Sequence, residues 1–423
     1  MASQRRIHVI GAGLAGLSAA LHLALVGENV TVYEAAPYAG GRCRSYMDRA
    51  LGCRIDNGTH LVLSGNDAIN DYLSLVQNPT GLVGPSAALF PFMDLADGMR
   101  WTVRLGSGRV PLGLLRAANR VPGTRVLDYL QILRLGLART HATLTDVLPS
   151  GPLTTRLWEP LALAALNTVP EEASARLFAN VLRQSLLRGA PACRPRTARV
   201  GLSETFVLPC LNVLRQREVP VLFGHRLRAL DLVGPVVRRL DFGTTALELA
   251  PTDWVVLAVP AWVAADLIPG LVVPDSFRSI LNVHYRATVP PESADGNVFR
   301  MTGLLGGLAE WVFARAEVIS VTVSAADRYA STDQDELAQR LWQDIARLYD
   351  LDPAHVPPYR LIHEKRATFA ATPAQDARRP RAWAGWSNMA LAGDWTATGL
   401  PSTLEGAIRS GMRAAEVVIR WKP

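Results

Sequence analysis

The tightest constraint on this chain is a turn that begins at Gly11. Ile7-His8-Val9-Ile10 is a short apolar run, Gly11-Ala12-Gly13-Leu14-Ala15-Gly16 follows at once, and an alanine- and leucine-rich stretch continues to Val26. A second apolar run, Val30-Thr31-Val32-Tyr33, ends on Glu34. Strand, glycine turn, helix and second strand form a complete βαβ unit of the dinucleotide-binding kind. Gly11 permits the tight turn, Gly13 lets the backbone approach a diphosphate, and Gly16 lets the helix pack on the strand. The helix N-terminus then faces the phosphates, and Glu34 can accept from a ribose 2′-hydroxyl. A Rossmann-like α/β domain is the expected start of the fold.

Two further clusters narrow the ligand. Gly40-Gly41-Arg42-Cys43-Arg44-Ser45 and Asp56-Asn57-Gly58-Thr59-His60 follow Glu34, and Leu391-Ala392-Gly393-Asp394-Trp395 with Gly399–Ala407 comes near the far end. This set resembles the FAD-dependent amine oxidase and phytoene desaturase superfamily. The resemblance implies an FAD-binding domain of the amine oxidase/glutathione-reductase type with an inserted α+β substrate domain. It implies non-covalent FAD held by Gly11, Gly13, Leu14, Ala15, Gly16, Glu34, Ala35, Gly40, Gly41, Arg42, Gly58, Thr59, His60, Leu227, Gly393, Asp394, Pro401, Ser402 and Thr403. Ser45 and Thr396 fall by position near the same chain of phosphates and ribityl. No cysteine follows Cys210, so a cysteinyl flavin link in the C-terminal segment is excluded.

Composition agrees with an enzyme of this size. A chain of 423 residues with 49% hydrophobic content can bury large cores and excludes disorder. Cys43, Cys53, Cys193 and Cys210 show no CxxC pair and no metal-ligand spacing, so no metal is expected and a reducing cytoplasm fits. No secretion signal precedes the first strand. Trp254–Val273 is apolar but interrupted by Pro260, Asp266, Pro269 and Gly270, which suits a buried strand and loop rather than a membrane span. The net charge is +7, with 44 basic and 37 acidic side chains, and only Lys365 and Lys422 are lysines. Between Arg100 and His141 stand eight arginines and one acid, Asp128, interleaved with leucine, valine and isoleucine. That pattern suits either a basic surface on anionic lipid or a solvated face packed on the protein. Nucleic-acid binding has no supporting motif.

The pieces alternate along the chain. Residues 1–75, 199–275 and 386–423 are expected to build the FAD domain, and 76–198 and 276–385 the substrate domain. The first insertion reads as helical with many Pro/Gly breaks; the second as β-rich from Ser279 to Val323, then a helix over Asp333–Tyr349 and a strand over Arg360–Phe369.

Within the superfamily, Trp158-Glu159-Pro160-Leu161-Ala162, Ala165–Ala175 around Asn167, Asn282-Val283-His284, Glu364-Lys365-Arg366-Ala367-Thr368 and Gly393–Pro401 resemble the hydroxysqualene dehydroxylase family of bacterial hopanoid synthesis. Thr59 departs from the glutamine common there. The resemblance implies FAD-dependent replacement of a hydroxyl by hydrogen on a hydrophobic C30 isoprenoid, in a cytoplasmic protein peripheral to the inner face of the membrane. His60, His284, Asp56 and Lys365 are candidate proton donors, an imidazole near pKa 6.5 suiting acid work at neutral pH. Asn167 could hydrogen-bond the leaving hydroxyl, or cap a helix beginning near Pro170. Leu157–Leu166, Phe178, Phe206 and Trp311 are candidate lining. An oxidising polyene desaturase, an amine oxidase and a flavin-free prenyl-lipid carrier resembling the Rab escort proteins stay open. One fingerprint leaves no dedicated NAD(P)H domain, and neither the electron donor nor the oligomeric state is written in the chain.

Overall fold

The computed structural model describes residues 5–289, 300–315 and 317–420, and all statements below concern these. A five-stranded parallel sheet forms the nucleotide-binding layer, in the order Val221–Phe223, Asn29–Glu34, Arg6–Ile10, Trp254–Leu257, Met389–Leu391. Its strands come from far-separated parts of the chain. Trp254–Leu257 is buried throughout, because the sheet is covered on both faces: helices Leu14–Leu25 and Leu404–Arg420 lie on one, and the other shares a core with the three-stranded antiparallel sheet Ala229–Val233, Val236–Asp241, Ala246–Glu248, where Phe242 stacks on Tyr33 at 4.8 Å. Helix Leu14–Leu25 packs along the C-terminal helix Leu404–Arg420. Their close crossing needs Gly411, where a Cβ would lie 2.2 Å from the Ala15 carbonyl oxygen, and Ser18, whose hydroxyl donates to the Ile408 carbonyl at 2.9 Å.

A seven-stranded sheet forms the second layer, in the order Tyr359–Phe369, Phe277–Arg286, Val318–Val323, Trp311–Arg315, Arg300–Leu305, Leu89–Asp94, Arg100–Arg104. The last two strands correct the helical reading of the first insertion. Phe90, Phe92, Trp101 and Val103 alternate inward at period two, a signal masked by the Pro and Gly punctuation around it. One face of this sheet packs on helix Gln334–Tyr349, which Asp333 caps by accepting from the backbone N–H of Asp335 and Glu336. The other face carries a transverse row set by register: Asn282 opposite Thr322, Thr322 opposite Trp311, Trp311 opposite Gly303, Gly303 opposite Phe92, Phe92 opposite Trp101. Opposed residues share a face, so the row runs from amide and hydroxyl to aromatic rings. Gly303 makes the room: a Cβ there would lie 2.5 Å from the Phe92 ring, which meets Trp311 edge-on at 5.5 Å and stacks on Trp101 at 5.6 Å.

Candidate flavin site

The glycine turn shows its purpose when each glycine is given a methyl group. A Cβ on Gly16 would lie 1.9 Å from the Gly11 carbonyl oxygen, and one on Gly11 2.5 Å from that of Ala258. The fold itself requires those two. A Cβ on Gly13 meets nothing within 4 Å, and its φ of −69° suits any residue. Glycine at 13 keeps open the side of the turn toward which the helix N-terminus points, a cradle that fits a dinucleotide diphosphate. Leu14 and Ala15 are buried in the first helical turn. Glu34 accepts from the N–H of Ala12 at 2.7 Å and of Ala36 at 2.8 Å, which holds both carboxylate oxygens and places Ala35 between them. Each oxygen keeps lone-pair capacity for a ribose hydroxyl. The His225 N–H donates to the Glu34 carbonyl at 2.8 Å, bringing the buried Leu227 to that end of the strand.

A second tier is tied to this turn. The Gly40 N–H donates to the Ala12 carbonyl at 2.8 Å, and Gly13 and Gly40 bridge in parallel. Gly41 and Arg42 follow. The Arg42 guanidinium donates to the Asp394 carboxylate at 2.7 Å and to the Ala367 carbonyl, joining the first glycine loop, the edge strand of the large sheet and the late Gly393-Asp394 pair. Behind them lies a residue that the sequence reading missed. Arg379, 6% exposed, donates to the carbonyls of Asp394 and Thr396, the Thr398 hydroxyl at 2.9 Å and the Asp376 carboxylate at 3.0 Å, over the Phe369 ring. One buried guanidinium thus fixes the whole Asp394–Thr398 loop. Its Asp376 partner three residues back is an ordinary surface-type spacing in the sequence, and the carbonyls and hydroxyl it meets in the loop leave no mark there. After the loop, the Thr403 hydroxyl accepts from the Gly406 N–H at 3.0 Å and caps the C-terminal helix, while the Ser402 hydroxyl accepts from the Phe369 N–H at 3.3 Å. The Ser402 hydroxyl keeps its proton to donate, so with Pro401 buried before it the segment offers a cofactor that donor and the positive end of the helix.

The third tier comes from Gly58-Thr59-His60. Asn282 supports it: the Thr59 N–H donates to the Asn282 amide oxygen at 3.4 Å, the Thr322 hydroxyl donates to the same oxygen at 2.9 Å, and a Cβ on Gly58 would lie 2.9 Å from its amide nitrogen. The polar end of the transverse row therefore abuts this loop. Thr59 serves through its backbone, so its departure from glutamine leaves the support intact. His60 is half-buried, and burial, with the nearby Arg42 charge second, lowers its pKa to about 4.

Other sequence candidates are placed elsewhere. His284 is 2% exposed; its Nδ1 pairs with the Ser320 hydroxyl at 2.8 Å, and burial lowers its pKa to about 4, against the opposing pull of the Asp56 backbone and the Asp48 charge. Neither imidazole is a charged acid at neutral pH, which corrects the unperturbed value assumed from sequence. Asp56 accepts from the Ser45 hydroxyl at 2.6 Å and the Leu202 N–H at 2.9 Å, and burial raises its pKa. It and Ser45 clamp the Ser45–Asp48 and Cys53–Asp56 hairpin to Ser203. Asn167 adopts φ +49° as the C-cap of helix Glu159–Leu166, not as a cap of the helix that follows, which starts from Ser174. Its amide oxygen accepts from the Ala325 N–H at 2.6 Å and its nitrogen donates to the Thr368 hydroxyl at 2.9 Å and the Arg278 carbonyl. That leaves no amide proton for a ligand. Lys365 is exposed on strand Tyr359–Phe369, next but one to His363, whose pKa is lowered by burial and then by the Lys365 charge. Phe206 sits with Tyr72 and Cys210 in the core of the nucleotide-binding layer, away from any lining role, whereas Phe178 and Trp311 belong to the core that includes the row.

With this geometry in hand, comparison decides the family. The model of flavin containing amine oxidoreductases matches residues 14–419. The hydroxysqualene dehydroxylase of Rhodopseudomonas palustris is 47% identical over 98% of both chains, and that of Sinorhizobium fredii 44% over 98% of both. The chain belongs to the flavin-containing amine oxidoreductases, within the hydroxysqualene dehydroxylase family. A zeta-carotene desaturase of Synechocystis is a far more distant relative of this dehydroxylase-family chain, at 22% identity. Among solved structures, cyclohexylamine oxidase from Brevibacterium oxydans has the same fold, with TM-score 0.70 and 16% identity over 98% of each chain. Family membership makes the protein an oxidoreductase and FAD its cofactor. The open Gly13 cradle, Glu34 and the Arg42–Asp394 pair fit that group.

Proposed function

We propose that the protein converts hydroxysqualene to squalene and water at the expense of reduced FAD. The observation that carries this reading is that the 47% identity spans 98% of both chains. It therefore includes the seven-stranded sheet that would hold the substrate as well as the nucleotide-binding layer common to the wider family. Bound reduced FAD supplies the hydride. The substrate's C–O bond would break, with the oxygen taking one proton from solvent and leaving as water and hydrogen taking its place on carbon.

The chain's own residues have three tasks. Gly13, Glu34, Gly40–Arg42 and Asp394 hold the cofactor's phosphates and ribose. Trp311, Phe92 and Trp101, buried in the core along the row, back the apolar region that would take a hydrocarbon with one polar group, at roughly 25 cal/mol per Å² buried. His60, neutral at working pH, donates an N–H to the leaving oxygen, and Asn282 holds the His60 loop in place from the polar end of the row. A C30 hydrocarbon partitions into bilayers, so the protein works as a peripheral protein at the inner membrane face; no described helix is long and apolar enough to cross one.

An anaerobic single turnover tests the reading. The flavoprotein is photoreduced in detergent, hydroxysqualene is added, and flavin reoxidation is followed beside mass spectrometry of the lipid. Squalene forming in step with oxidised flavin is expected. Unchanged hydroxysqualene with the flavin still reduced would overturn the assignment in favour of an oxidising desaturase.

A further inference from the structure

The arginine-rich stretch after strand Arg100–Arg104 is folded, and it is apolar on both of its sides. Leu114, Val121 and Leu135 point inward and are buried. Its turns Leu112–Leu115 and Ala117–Asn119 pack against strand Arg100–Arg104, and the Tyr129 hydroxyl accepts from the Val121 N–H at 3.0 Å, so the segment has a fixed outer surface. On that surface Leu112, Leu115, Leu127, Leu130, Leu133 and Leu137 are between 56% and 87% exposed. Most soluble proteins scatter such residues singly. Here they stand among exposed Arg116, Arg125, Arg134 and Arg139. The only acid between Arg100 and His141, Asp128, is exposed on this surface beside Leu127 and Leu130 and accepts the Arg125 N–H at 2.7 Å. A face of leucines fringed by guanidinium groups and nearly free of carboxylates complements an anionic headgroup layer above acyl chains.

Its position adds a second argument. The segment abuts the aromatic end of the transverse row, because its turns pack against the strand that carries Trp101. The opposite end of the row meets the Gly58–His60 loop at the flavin site.

We propose that the outer surface of residues 112–139 is the docking face for an anionic phospholipid bilayer and that it sets the aromatic row against the membrane from which the isoprenoid enters. The entry role rests on the dehydroxylase reading; the docking does not.

The full-length holoenzyme is floated with vesicles of phosphatidylcholine alone or with added phosphatidylglycerol, at low and high salt. Two variants accompany it: L127S/L130S/L133S/L137S and R116Q/R125Q/R134Q. The wild type should float with the anionic vesicles. The serine variant should partition at least tenfold more weakly, and the glutamine variant should lose the preference for phosphatidylglycerol and its salt dependence, both with an unchanged flavin spectrum. Both variants should turn over detergent-dispersed hydroxysqualene as the wild type does, and the serine variant should fail on substrate supplied in vesicles. Wild-type protein that stays unbound, or a serine variant that floats equally well, overturns the docking face. So does a wild-type dimer that the serine changes split, because a second copy would then cover the leucines. Vesicle binding without any turnover in detergent would instead remove the dehydroxylase reading and leave the docking face standing.

Discussion

Gly13 and Gly16 lie one helical turn apart and should respond to a methyl group in opposite ways. Gly16→Ala drives a Cβ into the Gly11 carbonyl, so it should cost several kcal/mol or prevent folding. Gly13→Ala should leave the thermal midpoint of the flavin-free protein unchanged while weakening FAD binding at least tenfold, about 1.4 kcal/mol; a fluorescence titration of apoprotein measures it. His60→Ala should retain flavin and lower single-turnover rate by roughly tenfold, the loss of one uncharged hydrogen-bond donor at the leaving oxygen, about 1.4 kcal/mol. Full activity in that variant would take His60 out of the chemistry. At this scale the turn was legible because its contacts are local, Gly11 to Gly16. The histidines were legible as residues but not as acids: their pKa values are set by burial, to which the flanking letters give no clue. Arg379 acts mainly through the carbonyls of a loop 15 to 17 residues on, which no local pattern announces, and the Asn282 contact to Thr59 spans 223 residues.

Elements in this fold are often finished by side chains from other elements. Helix Asp67–Leu75 has no side-chain cap of its own at Asn66. The buried Glu405 carboxylate, in the first turn of the C-terminal helix, accepts from the N–H of Ala68 at 3.1 Å and of Ile69 at 2.9 Å, and pairs with Arg409 at 2.7 Å. Glu405→Gln can replace one acceptor but not both, stranding a buried donor at a cost of about 2 kcal/mol, which urea unfolding of the holoenzyme would read. The helix Gln334–Tyr349 and the strand Tyr359–Phe369 fall within a residue of where periodicity and capping put them. Strands Leu89–Asp94 and Arg100–Arg104 escaped because they form a short hairpin among Pro and Gly, which looks like a loop until its link to the sheet is known; that link runs from Leu89–Asp94 to Arg300–Leu305, some two hundred residues on. Asn167 misled for a related reason. An αL C-cap and an N-cap use the same residue types, and only the backbone distinguishes them.

For the whole molecule, burying neutral histidines makes stability depend on pH with a definite sign. His284 titrates near 4 in the folded chain and near 6.5 unfolded. The unfolded state therefore binds more protons between those values, so this residue's contribution is full above about pH 6.5 and is lost as pH falls toward 4. Glu310, raised to about 7 by burial, works the other way and becomes less destabilising as pH falls. Comparing wild type with His284→Gln isolates the histidine: the difference in unfolding free energy should move by about 2 kcal/mol against the wild type from pH 7 to pH 5. A pH-independent difference would show that the imidazole is solvated. The fold class was readable because a single turn announces its βαβ unit; the transverse row was not, because it exists only when six strands are in register. The crossing of the first and last helices carries one more consequence. Ser18 meets Ile408 across 390 residues of sequence, and Asp394 must reach Arg42 before the diphosphate cradle has its second wall. A nascent chain on the ribosome can make the βαβ unit early, yet it has no finished pocket until Asp394 and helix Leu404–Arg420 have been made. Cofactor loading should therefore wait on that helix, and a chain clipped before Asp394 is expected to purify as apoprotein, without the yellow colour of bound flavin.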